Sequence, residues 1–281
     1  MNIIRAGQIG EISSTGDTVI IDARGGADAE ERFETGHLDG ALFVNLETDL
    51  SGKADNAADG GRHPLPDATK FGQLLGQLGI TPATKVIVYD DKRGAMAAAR
   101  FWWMLKAAGH EEVFVVSGGL EAIKKDGLAL SEDTLTLLTE FPDYPLEDWI
   151  LPTVSLDEVE HAARNPEYVV IDVRENFRYK GESEPIDLIA GHIPGAINIP
   201  YLGNMDENGD FLSSDKLKQK YTEKLAGIDP GKIIVHCGSG VTACHTLLAL
   251  EEAGITGANL YVGSWSEWSR NDKPIATGDD E

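Results

Sequence analysis

The sequence predicts an α/β protein built as two tandem units, each a mainly parallel sheet flanked by helices on both faces. Three observations carry that expectation: an internal repeat, short Val/Ile-rich runs, and helical periods alternating with those runs. In the repeat, TVIIDAR at 18–24 returns as YVVIDVR at 168–174, and GHLDGALFVN at 36–45 as GHIPGAINIP at 191–200. KVIVYD at 85–90 returns as KIIVHC at 232–237, and KAAGHEEVFVVSGGLEAI at 106–123 as EEAGITGANLYVGSWSEW at 251–268. The order is the same in both halves and the offset stays between 145 and 155. That is a duplication of a unit of about 120 residues, far longer than a solenoid period.

Taken in order, the runs at 19–22, 86–89 and 113–116 predict buried parallel strands in the first half, and 169–172, 233–236 and 260–262 predict their counterparts. Continuous apolar runs suit strands covered on both faces. Helical periods fall at 68–78, 95–108, 156–163, 214–225 and 242–253, between the runs, as βαβ units require. The first domain is assigned to 1–126 and the second to 153–281. Between them, GLALSEDTLTLLTEFPDYPLEDWILP at 127–152 has three prolines and no counterpart, and reads as an interdomain connection lying across both domains.

The bulk numbers exclude several classes. At 281 residues and 42% hydrophobic, the chain is long enough for two medium domains. A net charge of −23 argues against nucleic acid and anionic membranes as partners. No apolar run is long enough to span a bilayer, and MNIIRAGQIGEISS at the start lacks the apolar core of a signal peptide. The two cysteines, Cys237 and Cys244, fit a reducing, cytoplasmic setting better than a disulfide framework. An anionic substrate then needs a locally positive pocket.

The chemistry centres on IIVHCGSGVTACHTLLALEEAG at 233–254. A cysteine after a buried strand, followed by Gly-Ser-Gly and a helix, places sulfur where backbone N–H groups converge on a helix N-terminus. A thiolate is favoured there and is the nucleophilic form. Gly238 and Gly240 let the main chain curl around it. Cys244, seven residues on, is assigned to the core. His236, Cys237, Cys244 and His245 lack the spacing of a metal site, and no metal is expected. A cysteine phosphatase would need an arginine at 243, which is Ala, and no arginine occurs between Cys237 and Arg270.

IDAR and IDVR, GHLDGA and GHIPGA, CGSGVTA and GSWSEW together resemble the tandem rhodanese-like domains of the two-domain sulfurtransferases, over nearly the whole chain. CGSGVTA at 237–243 is similar to the active loop of the 3-mercaptopyruvate branch. The thiosulfate branch carries a basic pair where Gly238 and Ser239 stand. The resemblance implies that Cys237 accepts a sulfur atom as a persulfide and passes it to a thiol or cyanide, with no cofactor. Asp90 stands at the equivalent place in the first half, which implies one active site per chain, in the cleft between domains.

The amides of Gly238, Ser239, Gly240, Val241 and Thr242 are then expected to hold the anionic sulfur. The segment NFRYKGESEPIDLIAGH at 176–192 resembles the family's substrate loop, which implies Arg178 as the carboxylate clamp, with Lys180 compensating for Ile186 where a second arginine is common. Ser239 could relay protons, and the resemblance implies that it does so with His63, from GGRHPLPD in the first domain, and an acidic partner, Glu47 or Asp49. The expected donor is 3-mercaptopyruvate, with thiosulfate as the alternative. The expected acceptor is a thioredoxin-like protein or a low-molecular-weight thiol. A non-catalytic sulfur carrier is the third reading, disfavoured by the asymmetry between Cys237 and Asp90. The pairs Asp22/Arg24 and Asp172/Arg174, together with His37 and His192, recur in both halves and read as framework. Trp102, Trp103, Trp265 and Trp268 read as packing.

Overall fold

The computed structural model describes residues 1–53, 55–225 and 227–278. It divides into two compact units. One comprises Met1–Gly52, Leu65–Ile150 and Glu207–Phe211, and the other Lys53–Pro64, Leu151–Asp206 and Leu212–Glu281.

The first unit contains β1 (Ile3–Ile4), β2 (Thr18–Arg24), β3 (His37–Leu38), β4 (Ala41–Asn45), β5 (Lys85–Tyr89), β6 (Val113–Val116) and β7 (Leu130–Ser131). Five of these form one sheet in the order β1-β6-β5-β2-β4, parallel throughout. Val86 to Tyr89 on the central β5 are fully buried, which is why this strand reads as an unbroken apolar run. The second unit contains β8 (Val169–Asp172), β9 (Ile197–Asn198), β10 (Ile233–His236) and β11 (Asn259–Leu260), ordered β11-β10-β8-β9 and again parallel. The order β6-β5-β2-β4 is thus repeated as β11-β10-β8-β9. Even β1 leaves a trace, because Thr153 makes a parallel bridge to Leu260.

Strand and helix positions match the sequence reading, with helices at Ala68–Gln77, Ala97–Ala107, Leu156–Ala163, Ser214–Leu225 and Thr242–Glu252, except that the strand expected at 260–262 is Asn259–Leu260. The helix Leu156–Ala163 starts on a capping box, with the Ser155 hydroxyl accepting from Glu158 N–H and the Glu158 carboxylate accepting from Ser155 N–H. The sequence reading does not include β1, β3, β4, β7 or β9. β4 and β9 are edge strands of five and two residues, too short or too half-exposed for a clear period.

Residues 127–150 run along the first unit. Leu130–Ser131 pairs antiparallel with His37–Leu38, Leu138 N–H donates to the Gln77 carbonyl (3.0 Å), and Ile150 N–H donates to Ala107 (2.8 Å). Each unit has its own core. Ile4, Ile9, Ile87, Tyr89, Val116 and Ile123 pack in the first, and Val159, Val170, Ile234, Tyr261, Trp265 and Trp268 in the second.

The framework pairs repeat as expected. Arg24 meets Asp22 and Arg174 meets Asp172, each at 2.6 Å and each fully buried. Arg24 also donates to the Gly36 carbonyl (2.9 Å), and Arg174 to the equivalent Gly191 carbonyl (2.7 Å). His37 and His192 sit 2.9 and 2.8 Å from the carbonyls of Phe33 and Tyr179. Trp102, Trp103, Trp265, Trp268 and Cys244 are buried. Among the described residues, no helix is long and apolar enough to cross a membrane.

Candidate active site

Cys237 follows the last residue of β10 and is 2% exposed. Beyond the carboxyl ends of parallel strands the chain turns into helices, and crevices form there. Three bonds fix the loop. Cys237 N–H donates to Ser264 Oγ (3.1 Å), Trp265 N–H donates to the Cys237 carbonyl (3.0 Å), and Ser266 N–H donates to the Gly238 carbonyl (2.9 Å). Gly240 has φ +74°, and a Cβ there would lie 2.6 Å from the Val262 carbonyl oxygen, so only glycine fits. Val241 is buried and caps the helix that Thr242 opens. Among the described residues, the N–H groups of Gly238, Ser239 and Val241 have no acceptor within the protein. Buried donors are rarely left unpaired unless something else takes them.

The first unit shows what such a loop holds. Asp90, at the end of β5, is fully buried. Its carboxylate accepts from the N–H groups of Lys92 (2.8 Å), Gly94 (2.6 Å), Met96 (2.9 Å) and Ala98 (3.2 Å). Burial pushes this carboxyl above the usual range, while the four donors pull it down.

Ser239 is buried, and its Oγ lies 2.7 Å from Nδ1 of His63. His63 is carried by the strap 53–64, which groups with the second unit rather than with the residues that precede it. Hydrogen bonds account for that. Gly60 N–H donates to Glu267 (2.9 Å), Arg62 N–H to Ser266 Oγ (3.1 Å), and Asn271 Nδ2 to the Ala58 carbonyl (2.8 Å). Gly61, at φ +83°, lies so close to the Gly263 carbonyl that a Cβ would stand 2.4 Å from its oxygen.

Arg178 belongs to the short helix Asn176–Tyr179 and is buried. Its guanidinium donates to Glu184 through Nε (3.1 Å) and Nη2 (2.8 Å), and Nη2 also reaches Asp187 at 3.5 Å. Burial opposes its charge, but Glu184, Glu175 and Asp187 hold its pKa above the ordinary value. Burial would raise Glu184, yet Arg178 and the N–H groups of Asp187 and Ile186 hold it below the usual range. Arg174 also reaches Glu184 (3.1 Å), so the framework pair and Arg178 share one carboxylate. Burial keeps His236 below its ordinary pKa, hence neutral, with Nδ1 3.2 Å from the Cys237 carbonyl.

Cys237, Gly238, Ser239, Gly240, Val241, Thr242, Arg178 and His63 belong to the second unit. Lys180 caps the helix Asn176–Tyr179, and its carbonyl accepts from Gly278 N–H (2.8 Å). Glu47 lies in the first unit, where its carboxylate accepts from Gly26 N–H (3.1 Å). Asp49 folds back on its own turn, accepting from Asn45 N–H (2.8 Å). Ile186 is exposed. Sequence reasoning missed Arg62, Asp187, Glu184 and Arg270. The first three stand inside GGRHPLPD and NFRYKGESEPIDLIAGH, so adjacency to the quoted residues was a usable signal; Arg270 had none.

Two parallel sheets of one topology, with one loop holding a cysteine and its twin an aspartate, define a duplicated α/β fold with a single cysteine site. The chain belongs to the rhodanese family and is a sulfurtransferase: a family model described as a rhodanese-like domain matches residues 6–126 and 155–271. It is 36% identical over 284 residues to a protein of Pseudomonas aeruginosa named "Probable 3-mercaptopyruvate sulfurtransferase", covering 99% of this chain and 98% of that one. To the thiosulfate sulfurtransferase of Gallus gallus it is 34% identical over 256 residues, covering 88% and 83%. The solved 3-mercaptopyruvate sulfurtransferase from Leishmania major superposes with a TM-score of 0.84 at 27% identity, covering 97% of this chain and 75% of that one.

Proposed function

We propose that the chain moves sulfane sulfur from 3-mercaptopyruvate through a persulfide on Cys237 to a thiol, such as a thioredoxin-like protein or a low-molecular-weight thiol, or to cyanide, in the reducing cytoplasm. One observation carries the reading. The loop after β10 offers unpaired N–H groups around a cysteine, where its twin after β5 uses its N–H groups to bind the carboxylate of Asp90. A cradle that binds a carboxylate in one copy suits an anionic sulfur in the other.

The Cys237 thiolate attacks the sulfur of 3-mercaptopyruvate. A Cys237 S–S bond forms, and the donor's C–S bond breaks with its electron pair passing to the carbon fragment as the enolate of pyruvate. The enolate takes a proton and becomes pyruvate. Ser239 and His63, 2.7 Å apart, are the pair assigned to that proton, and Arg178 to the donor's carboxylate. An acceptor thiolate then attacks the outer sulfur, forming the acceptor persulfide and releasing Cys237 as thiolate. Asp90 has no sulfur to do this, so one persulfide per chain is expected.

Thiosulfate is the second donor considered. Exposed Ile186, where a second arginine is common in the 3-mercaptopyruvate branch, supports it. The experiment is an assay of wild type and Cys237→Ser with both donors, with sulfane sulfur counted by cyanolysis of the donor-loaded protein. Wild type should carry one equivalent and Cys237→Ser none. Turnover retained by Cys237→Ser overturns the nucleophile, and a marked preference for thiosulfate overturns the donor.

A further inference from the structure

Three guanidinium groups converge on one carboxylate beside the cysteine loop. Asp187, whose side chain is fully buried, is reached by Arg62 (Nε–Oδ1 3.1 Å), Arg178 (Nη2–Oδ2 3.5 Å) and Arg270 (Nη1–Oδ1 3.3 Å). A Cβ on Gly238, the residue after Cys237, would stand 3.1 Å from Nη2 of Arg62, 3.4 Å from Nη2 of Arg178 and 3.5 Å from Oδ2 of Asp187. The cluster therefore lies directly on the loop that carries the sulfur.

Arg270 enters it from just beyond the helix Ser264–Trp268, where Nη1 also donates to the Ser266 carbonyl (2.7 Å). Ser266 is a junction. Its N–H holds the Gly238 carbonyl, its Oγ accepts from Arg62 N–H, and its carbonyl holds Arg270. Arg178 is committed to Glu184, Asp187 and, through Nη1 at 3.5 Å, Glu175. Arg270 is not so committed. Among the described residues its Nε and Nη2 have no hydrogen-bond partner, and its side chain is 16% exposed. Asp187 shows which chemical group these guanidiniums accept, because a donor carboxylate is the same group. In a chain of net charge −23, an anion needs such a local cationic point to arrive at all.

We propose that Arg270 is a donor-binding residue that takes the carboxylate of an α-keto acid donor together with Arg178, and that Asp187 is the positioning residue that sets both guanidiniums. This rests on the 3-mercaptopyruvate reading above. Arg270→Gln should raise KM for 3-mercaptopyruvate roughly 10- to 100-fold, the loss of one charge-assisted hydrogen bond, with kcat falling much less than KM rises. Arg270→Lys should recover part of the loss. Thiosulfate carries no carboxylate, so its KM should move far less. Titration of pyruvate into Cys237→Ser protein, with and without Arg270→Gln, reads the same contact without turnover and should show matching weakening. Unchanged KM and unchanged pyruvate binding overturn the assignment, as does an equal rise for both donors. If wild type fails to use 3-mercaptopyruvate while pyruvate binding still depends on Arg270, the donor reading falls and the carboxylate site stands.

Discussion

Ser239 and His63 join through a single 2.7 Å contact, which makes their functional link open to a double-mutant cycle. A positioned acid or base contributes roughly 10²- to 10⁴-fold, so Ser239→Ala and His63→Ala should each lower kcat with 3-mercaptopyruvate by about that factor. Two residues acting as one relay lose their effect once, so the double variant should be little worse than either single one. Thiosulfate releases sulfite, which needs no proton on carbon, and its turnover should suffer less. Equal losses with both donors, or additive losses in the cycle, would remove the pair from the proton path. Both residues were legible in the sequence. Serine follows the nucleophile by two, and histidine stands in a Gly-Gly-Arg-His turn. That the two work together followed from the resemblance to the family; the contact itself, across 176 positions, is a tertiary fact.

At the scale of elements, the strap 53–64 and the loop after β10 show how secondary structure places chemistry. Among its described residues the strap has no helix or strand, and it is held by Gly60, Arg62 and Ala58 bonding to Glu267, Ser266 and Asn271. Gly61 permits the approach, since its φ of +83° and its proximity to the Gly263 carbonyl both exclude a Cβ. Gly61→Ala should push His63 and Arg62 away from the loop. A displacement of about 1 Å costs on the order of 10²-fold in a positioned reaction, so kcat with 3-mercaptopyruvate should fall by 10- to 100-fold. Alkylation of Cys237 by iodoacetamide should stay near the wild-type rate. A silent Gly61→Ala would show that the strap does not position the pair. Central strands and capped helices were readable because burial on both faces and the Ser155 capping box leave local signatures. Edge strands β4 and β9 were not, because they are short or half-exposed and show no clear period, and the strap was not, because its partners lie 204 and 207 positions along the chain.

Across the whole molecule, the duplication keeps a frame and lets the loops diverge. Asp22–Arg24 and Asp172–Arg174 are the same buried pair in the same place, with the same third contact to a glycine carbonyl. Removing one partner of such a pair leaves a buried charge alone, so Asp172→Asn should cost about 3–5 kcal/mol in urea unfolding at neutral pH. Burial would raise the Asp172 pKa, but the Arg174 guanidinium and the Arg174 N–H hold it below the ordinary value. A carboxyl depressed in the folded state stabilises above its unfolded pKa of about 3.9, and that contribution is lost as pH falls through the folded pKa. The gap between wild type and Asp172→Asn should therefore be full at pH 6–7 and narrow below about pH 4. A gap independent of pH would assign the pair's role to shape rather than charge.

The amino-acid sequence by itself determined the two-unit α/β plan and the framework pairs, because both are written in local patterns that occur twice; the single cysteine loop is where the two copies differ, and the sulfurtransferase class followed from the resemblance of these motifs to the family. Apolar runs, glycine spacing and repeated dipeptides need no knowledge of distant contacts. Only the tertiary structure decided that the strap 53–64 groups with the second unit, that Glu47 bonds to Gly26, and that Arg62, Arg178 and Arg270 share Asp187. Those facts depend on which far-separated groups meet once backbone donors, buried charges and close-packed glycines have all found partners. Sequence order carries no record of that.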